Sequence, residues 1–148
     1  MKVKNDVQAI IIKKEGDDFL FLTIERLDRD TQESEIRFVK GGVEKGEEPE
    51  QALRREIKEE VGVTDIQHIE PLCHYSYIAG EVRHEVDVFL VLVDSHEVVS
   101  VNSSQEGGYT IKSAQWMTGE ETAQKLTFED ERKLVLQTTI SGKCGEKF

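Results

Sequence analysis

Between Val86 and Val93 only Asp87 interrupts an apolar run rich in β-branched and aromatic residues. A strand that is apolar on both sides has to be covered on both faces, as in sheets flanked by helices. That requirement asks the rest of the chain for further strands and for helices on two sides. Val7 to Ile12 and Phe19 to Ile24 read as strands joined through the turn-like stretch Lys14 to Asp18, so they form a hairpin. Ile36 to Val39 reads as a short strand running into Lys40-Gly41-Gly42, and Leu72 to Ile78 as another strand. Leu27 to Glu35 and Ser95 to Ser113 are polar and read as loops.

Helices come from three places. Pro49 suits the first turn of a helix because its missing N–H is not needed there, and Gly62 suits the position just past the end. The residues between are strong helix formers, which gives a helix near Pro49 to Val61. Thr118 with Glu121 and Thr127 with Asp130 have the spacing of capping boxes. They open a short helix to about Leu126 and a C-terminal helix ending near Ile140. Strands interleaved with helices define an α/β protein with a mixed sheet in an α/β/α sandwich, and residues 1–148 read as one domain.

No apolar stretch nears the ~20 residues that cross a bilayer, and Met1 to Asp6 lacks the apolar segment of a signal peptide. The expectation is a soluble, untargeted, cytoplasmic protein. Cys73 and Cys144 fit neither a disulfide scaffold nor a zinc pattern, and Cys73 reads as core. Thirty acidic against nineteen basic side chains give a formal charge of −11. Such a chain repels a nucleic-acid backbone unless its basic groups cluster, and no cluster is visible. An acidic surface can serve solubility alone. For a small anionic substrate, however, a divalent cation held by carboxylates would offset both partners.

The helix near Pro49 to Val61 shows where such carboxylates could stand. At about 100° per residue, Leu53, Ile57 and Val61 form the buried stripe, and Glu56, Glu59 and Glu60 fan over about 100° beside it. Glu59 and Glu60 occupy the last turn, where the helix dipole disfavours negative charge by about 0.3–1 kcal/mol each. Arg54, Arg55 and Lys58 offset part of this. A cation would offset more, and Mg²⁺ prefers hard oxygen ligands. An ordinary amphipathic helix with a charged side would show the same composition.

The register of the whole segment decides between these. Gly41, five residues, Glu47, seven residues, then Arg55-Glu56-Ile57-Lys58-Glu59-Glu60-Val61-Gly62-Val63 matches G-x5-E-x7-R-E-U-x-E-E-x-G-U, with U aliphatic. The chain therefore resembles the Nudix hydrolase family, over the box itself and over the order of flanking strands and helices. The resemblance implies the Nudix fold and Mg²⁺-dependent cleavage of a phosphoanhydride bond, with Mn²⁺ as a possible substitute. It implies Glu56, Glu59, Glu60 and the Gly41 carbonyl as metal ligands, and Arg55 with Glu47 as the pair bracing loop against helix. The general base is either a box glutamate or Glu106.

Lys40 before Gly41 resembles the box start of diadenosine tetraphosphate hydrolases and diphosphoinositol polyphosphate phosphohydrolases, although Val39 replaces the usual proline. Trp116, Ala123, Leu126 to Glu129 and Arg132 resemble the tail of that subgroup, while Trp116 and Phe128 also suit plain core packing. Lys40, Arg26, Tyr75, Tyr77 and His84 are the substrate-binding candidates. Tyr75 and Tyr77 share a strand face and can stack on a base, or can be half-buried sheet residues. The implied substrate is a small nucleotide: a dinucleoside polyphosphate or a nucleoside triphosphate. Rival readings are an oxidised-nucleotide sanitising pyrophosphatase and a non-catalytic nucleotide sensor. Neither nucleic acid nor membrane is an expected partner, and the chain is read as a monomer or homodimer.

Overall fold

The computed structural model describes residues 1–101, 105–106 and 108–140, apart from the side chains of Gln105, Glu106, Gln137, Thr139 and Ile140. Cys144 lies outside them. β1 (Lys2–Glu15) and β2 (Asp18–Asp28) form the expected hairpin around Gly16, whose φ of 64° suits glycine. Both strands outrun their apolar stretches. They pair with each other only over Ile12–Glu15 and Asp18–Phe21. Beyond that the strands part, and two short strands fill the opening: β3 (Ser34–Arg37) pairs with β2, and β4 (Val39–Gly42) pairs with β1.

The sequence suggests one strand over Ile36 to Val39, but the chain breaks it at Phe38. The Phe38 N–H leaves the ladder and donates to the Glu131 carboxylate at 2.8 Å, while its ring is buried. This break carries Gly41 and Gly42 from the sheet towards α1 (Pro49–Val61), whose bounds are those expected, with Gly62 at φ 70° closing it.

β5 (Ile66–Ala79) and β6 (Val82–Val93) form a second hairpin, and β6 lies parallel to β1. The expected loop over Ser95 to Ser113 is corrected in part. β7 (Gln105–Glu106) pairs with β8 (Tyr109–Thr118), which runs antiparallel to β2 from Leu20 to Asp28. Tyr109-Thr110-Ile111 has strand-forming residues, but it is short and follows a polar, glycine-containing stretch that reads as loop; pairing with β2 extends it into a strand. α2 (Gly119–Lys125) opens with the capping box, Thr118 and Glu121 exchanging side-chain bonds at 3.1 and 3.2 Å. α3 (Glu129–Ile140) starts too late for Thr127 to cap it, and the Thr127 hydroxyl accepts from the Ile36 N–H at 2.8 Å.

The eight-stranded sheet runs β5-β6-β1-β2-β8-β7, with β3 and β4 in the fork. Its two faces carry separate cores. Val7, Ala9, Ile11, Val91 and Val93 pack on the α1 stripe Leu53, Ile57 and Val61. Ile10, Ile12, Val88 and Leu90 pack with Leu126, Leu134 and Val135 from the other side. The sandwich is thus read directly from alternate residues of β1 and β6. Phe128, a candidate for core packing, is instead 39% exposed. No described helix is long and apolar enough to cross a membrane.

Ile57 is fully buried between α1 and the sheet. Ile57→Ala is expected to lower the unfolding free energy by about 2–5 kcal/mol, read from urea denaturation.

Candidate active site

The box folds into a clasp. The Arg55 guanidinium donates to both Glu47 oxygens at 2.8 and 2.9 Å, to the Gly42 carbonyl at 2.9 Å and to Glu56 at 2.8 Å. A planar fork suits this bidentate grip on Glu47. Glu47 also accepts from the Glu44 N–H at 2.9 Å, closing the loop on itself. The Arg55 hydrogen bond comes first among the causes that hold the Glu47 carboxyl down at about 2.

Gly41 rests directly on the helix. A Cβ added there would fall 2.0 Å from the carboxyl carbon of Glu56, so only glycine lets β4 approach so closely. Glu56 is 7% exposed, and burial raises its pKa against the pull of Arg55. Glu60 Oε2 is buried and has no hydrogen-bond partner among the described residues. Burial, then the neighbouring Glu56, pushes the Glu60 carboxyl well above the ordinary carboxylate range. Glu59 is half-buried and meets Arg55 at 3.3 Å.

These three carboxylates line a cleft of about 350 Å³ together with Lys4, Arg26, Lys40 and Tyr109. Arg26 owes its place to a slip in register between β2 and β8 at Glu25/Arg26, the kind of irregularity that re-aims a side chain. It donates to Glu35 at 2.9 Å and stacks 3.8 Å from the Tyr109 ring centre. Lys40 donates to Asp6 at 2.9 Å and to the Tyr77 hydroxyl at 2.7 Å. Asp6 also bonds His84 at 2.7 Å, and the His84 ring lies flat on Tyr77, 4.6 Å between centres.

Arg26 and Tyr109 also border a second cleft of about 310 Å³, lined by Arg37, Tyr75, Tyr77 and Phe128. Its floor is a buried network. Tyr75 donates to Gln8, Gln8 donates to Glu131, and Glu131 accepts from Arg37 at 3.0 Å. Burial holds the Tyr75 hydroxyl protonated and raises the Glu131 carboxyl, which Arg37 pulls back.

Glu47, Arg55, Glu56, Glu59, Glu60, Gly41, Lys40 and Arg26 thus come together, with Tyr75, Tyr77 and His84 along the adjoining wall. Glu106 lies on β7, and its side chain is outside the described residues. Sequence reasoning missed Lys4, Asp6, Gln8, Arg37, Tyr109 and Glu131. Two of them carried a signal: Gln8 interrupts the apolar run Val7 to Ile12, and Asp6 abuts it.

The family model for the NUDIX domain matches residues 3–138. The chain belongs to the Nudix family. It is a Nudix hydrolase in fold and in the composition of its box. No curated protein sequence matches it. Among solved structures, a Caenorhabditis elegans Ap4A hydrolase binary complex is similar at TM-score 0.76 and 19% identity, covering 95% of this chain and 98% of that one. The NUDIX domain of Shewanella oneidensis NrtR complexed with ADP ribose is similar at TM-score 0.75 and 15% identity, covering 95% and 89%. A MutT protein from Methanosarcina mazei Go1 gives TM-score 0.72 and 18% identity, covering 96% of each chain.

The residues fit a hard divalent cation. Glu60 presents a buried oxygen without a partner, and Glu56 sits in the cradle left by Gly41. Among the described residues no group of three or more His, Cys, Asp and Glu side chains stands close enough together to hold a metal ion. Mg²⁺ takes one or two carboxylates and completes its shell with waters and phosphate oxygens, so Glu56 and Glu60 could hold it without a third side chain.

Glu47 has a lowered pKa, so its stabilising bond is fully present above the ordinary value of 4.5 and is lost as pH falls towards about 2. The stability gap between wild type and Glu47→Gln is therefore expected to be constant above pH 4.5 and to close between 4.5 and about 2, measured by urea unfolding across pH.

Proposed function

We propose that this Nudix protein hydrolyses a phosphoanhydride bond in a nucleoside diphosphate-X substrate, with Mg²⁺ as cofactor and Mn²⁺ as a substitute. A dinucleoside polyphosphate or a nucleoside triphosphate is the preferred substrate class. The observation that carries the reading is the cleft itself, which Glu56, Glu59 and Glu60 line together with Arg26 and Lys40. Carboxylates alone would repel a polyphosphate, and cations alone would not activate it. The similarity to an Ap4A hydrolase supports the dinucleoside polyphosphate reading.

When bound, the cation neutralises the diphosphate and draws electrons from phosphorus. Glu56, Glu59, Glu60 and the Gly41 carbonyl supply its oxygen ligands. Arg55 and Glu47 keep that wall in register with the Gly41-Gly42 turn, which matters because catalysis of phosphoryl transfer is mostly positioning and charge stabilisation. Lys40 and Arg26 face the phosphate oxygens. Water oxygen bonds to phosphorus, the bridging P–O bond breaks with its electron pair going to the leaving phosphate, and a carboxylate takes the water's proton. That carboxylate is a box glutamate or Glu106. Tyr75, Tyr77 and His84 form the wall along which the nucleoside lies, where an aromatic face can stack on a base for about 1–3 kcal/mol.

Turnover of diadenosine polyphosphates, nucleoside triphosphates, ADP-ribose, NADH and diphosphoinositol polyphosphates, with products identified, tests the substrate class. ATP plus AMP from diadenosine tetraphosphate is the expected result, and activity confined to ADP-ribose would overturn it. Groups that merely orient a metal ligand are worth about 10–100-fold. Glu59→Gln is accordingly expected to lower kcat by at least about 100-fold at saturating Mg²⁺. Unchanged turnover would remove Glu59 from the ligand set.

A further inference from the structure

Three cations line the cleft together with the box glutamates, and their charges are not equally engaged. Arg26 is held by Glu35 at 2.9 Å with a ring beneath it, and Lys40 by Asp6 at 2.9 Å. Lys4 makes no ion pair and no side-chain hydrogen bond among the described residues, yet it lines the same cleft. Its position is nonetheless built. The side chain crosses Gly42, where an added Cβ would lie 3.0 Å from the Lys4 Cε and 3.5 Å from its Nζ. The strand beneath it is fixed on one edge by the parallel register with β6, Lys4 opposite His84. Just past Gly42, the Val43 N–H donates to the Asn5 carbonyl at 2.9 Å, tying the loop to the next residue of β1.

We propose that Lys4 is a specificity-determining residue whose ammonium receives a phosphate beyond the bond that is cleaved, favouring substrates with three or more linked phosphates. The inference deepens the hydrolase reading and rests on it for the nature of the ligand. A lysine paired with an internal carboxylate presents a partly offset field to an anion; Lys4 makes no such pair among the described residues, although Asp6 Oδ1 lies 3.8 Å from the same point over Gly42. An ammonium is a point charge suited to phosphate oxygens from several directions. Lys4 reaches the cleft at Gly42, one residue past the Gly41 that rests on Glu56. It therefore stands beside the place where the carboxylates would hold a cation, at the neighbouring link of an extended chain.

The test is calorimetric titration of the full chain with tripolyphosphate and with pyrophosphate, with and without Mg²⁺. Lys4→Gln is expected to weaken tripolyphosphate binding about tenfold and pyrophosphate binding less than about twofold. Lys4→Arg restores most of the loss. Lys14→Gln, the same charge change on the far end of β1, serves as the control for net charge and leaves both affinities unaltered. In turnover, Lys4→Gln raises KM for a nucleoside triphosphate more than it lowers kcat. An equal loss for both ligands, no loss for either, or no binding of tripolyphosphate by the wild type overturns the proposal. If the Lys4-dependent binding holds while nothing in the substrate panel is consumed, the hydrolase reading falls and takes the placement relative to a cleaved bond with it, while the preference of Lys4 for three linked phosphates stands. Turnover without Lys4 dependence leaves the hydrolase reading standing and removes this inference.

Discussion

The grip of Arg55 on Glu47, the Gly42 carbonyl and Glu56 is the interaction on which the rest of the cleft depends. It joins three pieces that the chain keeps apart: the end of β4, the loop and the middle of α1. Each acceptor alone contributes modestly in a half-exposed setting. Together they fix the distance between strand and helix, and that distance is so short that only a residue without a side chain fits at Gly41. The acidity of Glu47 and the burial of Glu56 both follow from the same grip. A helix with like charges in its last turn is thereby kept in an arrangement that its own electrostatics oppose.

A second tier of buried polar groups sets the opposite wall. Glu131 on α3 takes hydrogen bonds from Arg37, Gln8 and the Phe38 backbone, so one carboxylate ties the C-terminal helix to β1 and to the break between β3 and β4. Removing one member of such a set strands the others away from water, which makes the arrangement specific whatever its net energy. Through Gln8 the network reaches Tyr75, and through the Phe38 break it governs how Lys40 enters the cleft. The Arg55 clasp and the Glu131 network are thus separate sets of bonds, and the two clefts share Arg26 and Tyr109 in their linings, with Lys40 bonded to Tyr77 between them.

Much of this could be read from the residues in order. The bounds of α1, the hairpin turn at Gly16 and the doubly covered β6 follow from local pattern, because each signal lies within a few residues of its consequence. Within the box, the Arg55 grip on Glu47 and the contact of Gly41 with Glu56 join residues that lie close together in sequence. What escaped has its cause far away in the chain. The strand-forming Tyr109-Thr110-Ile111 is too short to stand out from the polar stretch before it, and β2 supplies the pairing that fixes it. Nothing near Phe38 announces a break, since its partner is Glu131, ninety-three residues later. Lys4 and Asp6 read as a charged lead-in to a strand, and their place at the site depends on β4, which pairs with Asp6 and sets Gly42 against the Lys4 side chain.

The parallel pairing of β1 with β6 also orders events in time. Lys2 to Ile12 finds its neighbour in Val82 to Leu92, so β1 stays open along one edge until the chain between them has been made. Antiparallel hairpins on either side can close early, but this seam joins them late and over a long loop, which slows assembly. The acidic helix and its turn emerge from the ribosome well before that seam shuts. The nascent chain thus carries its cluster of glutamates while the wall that would receive an anion is still half a sheet, and the two become one pocket only when β6 is in place.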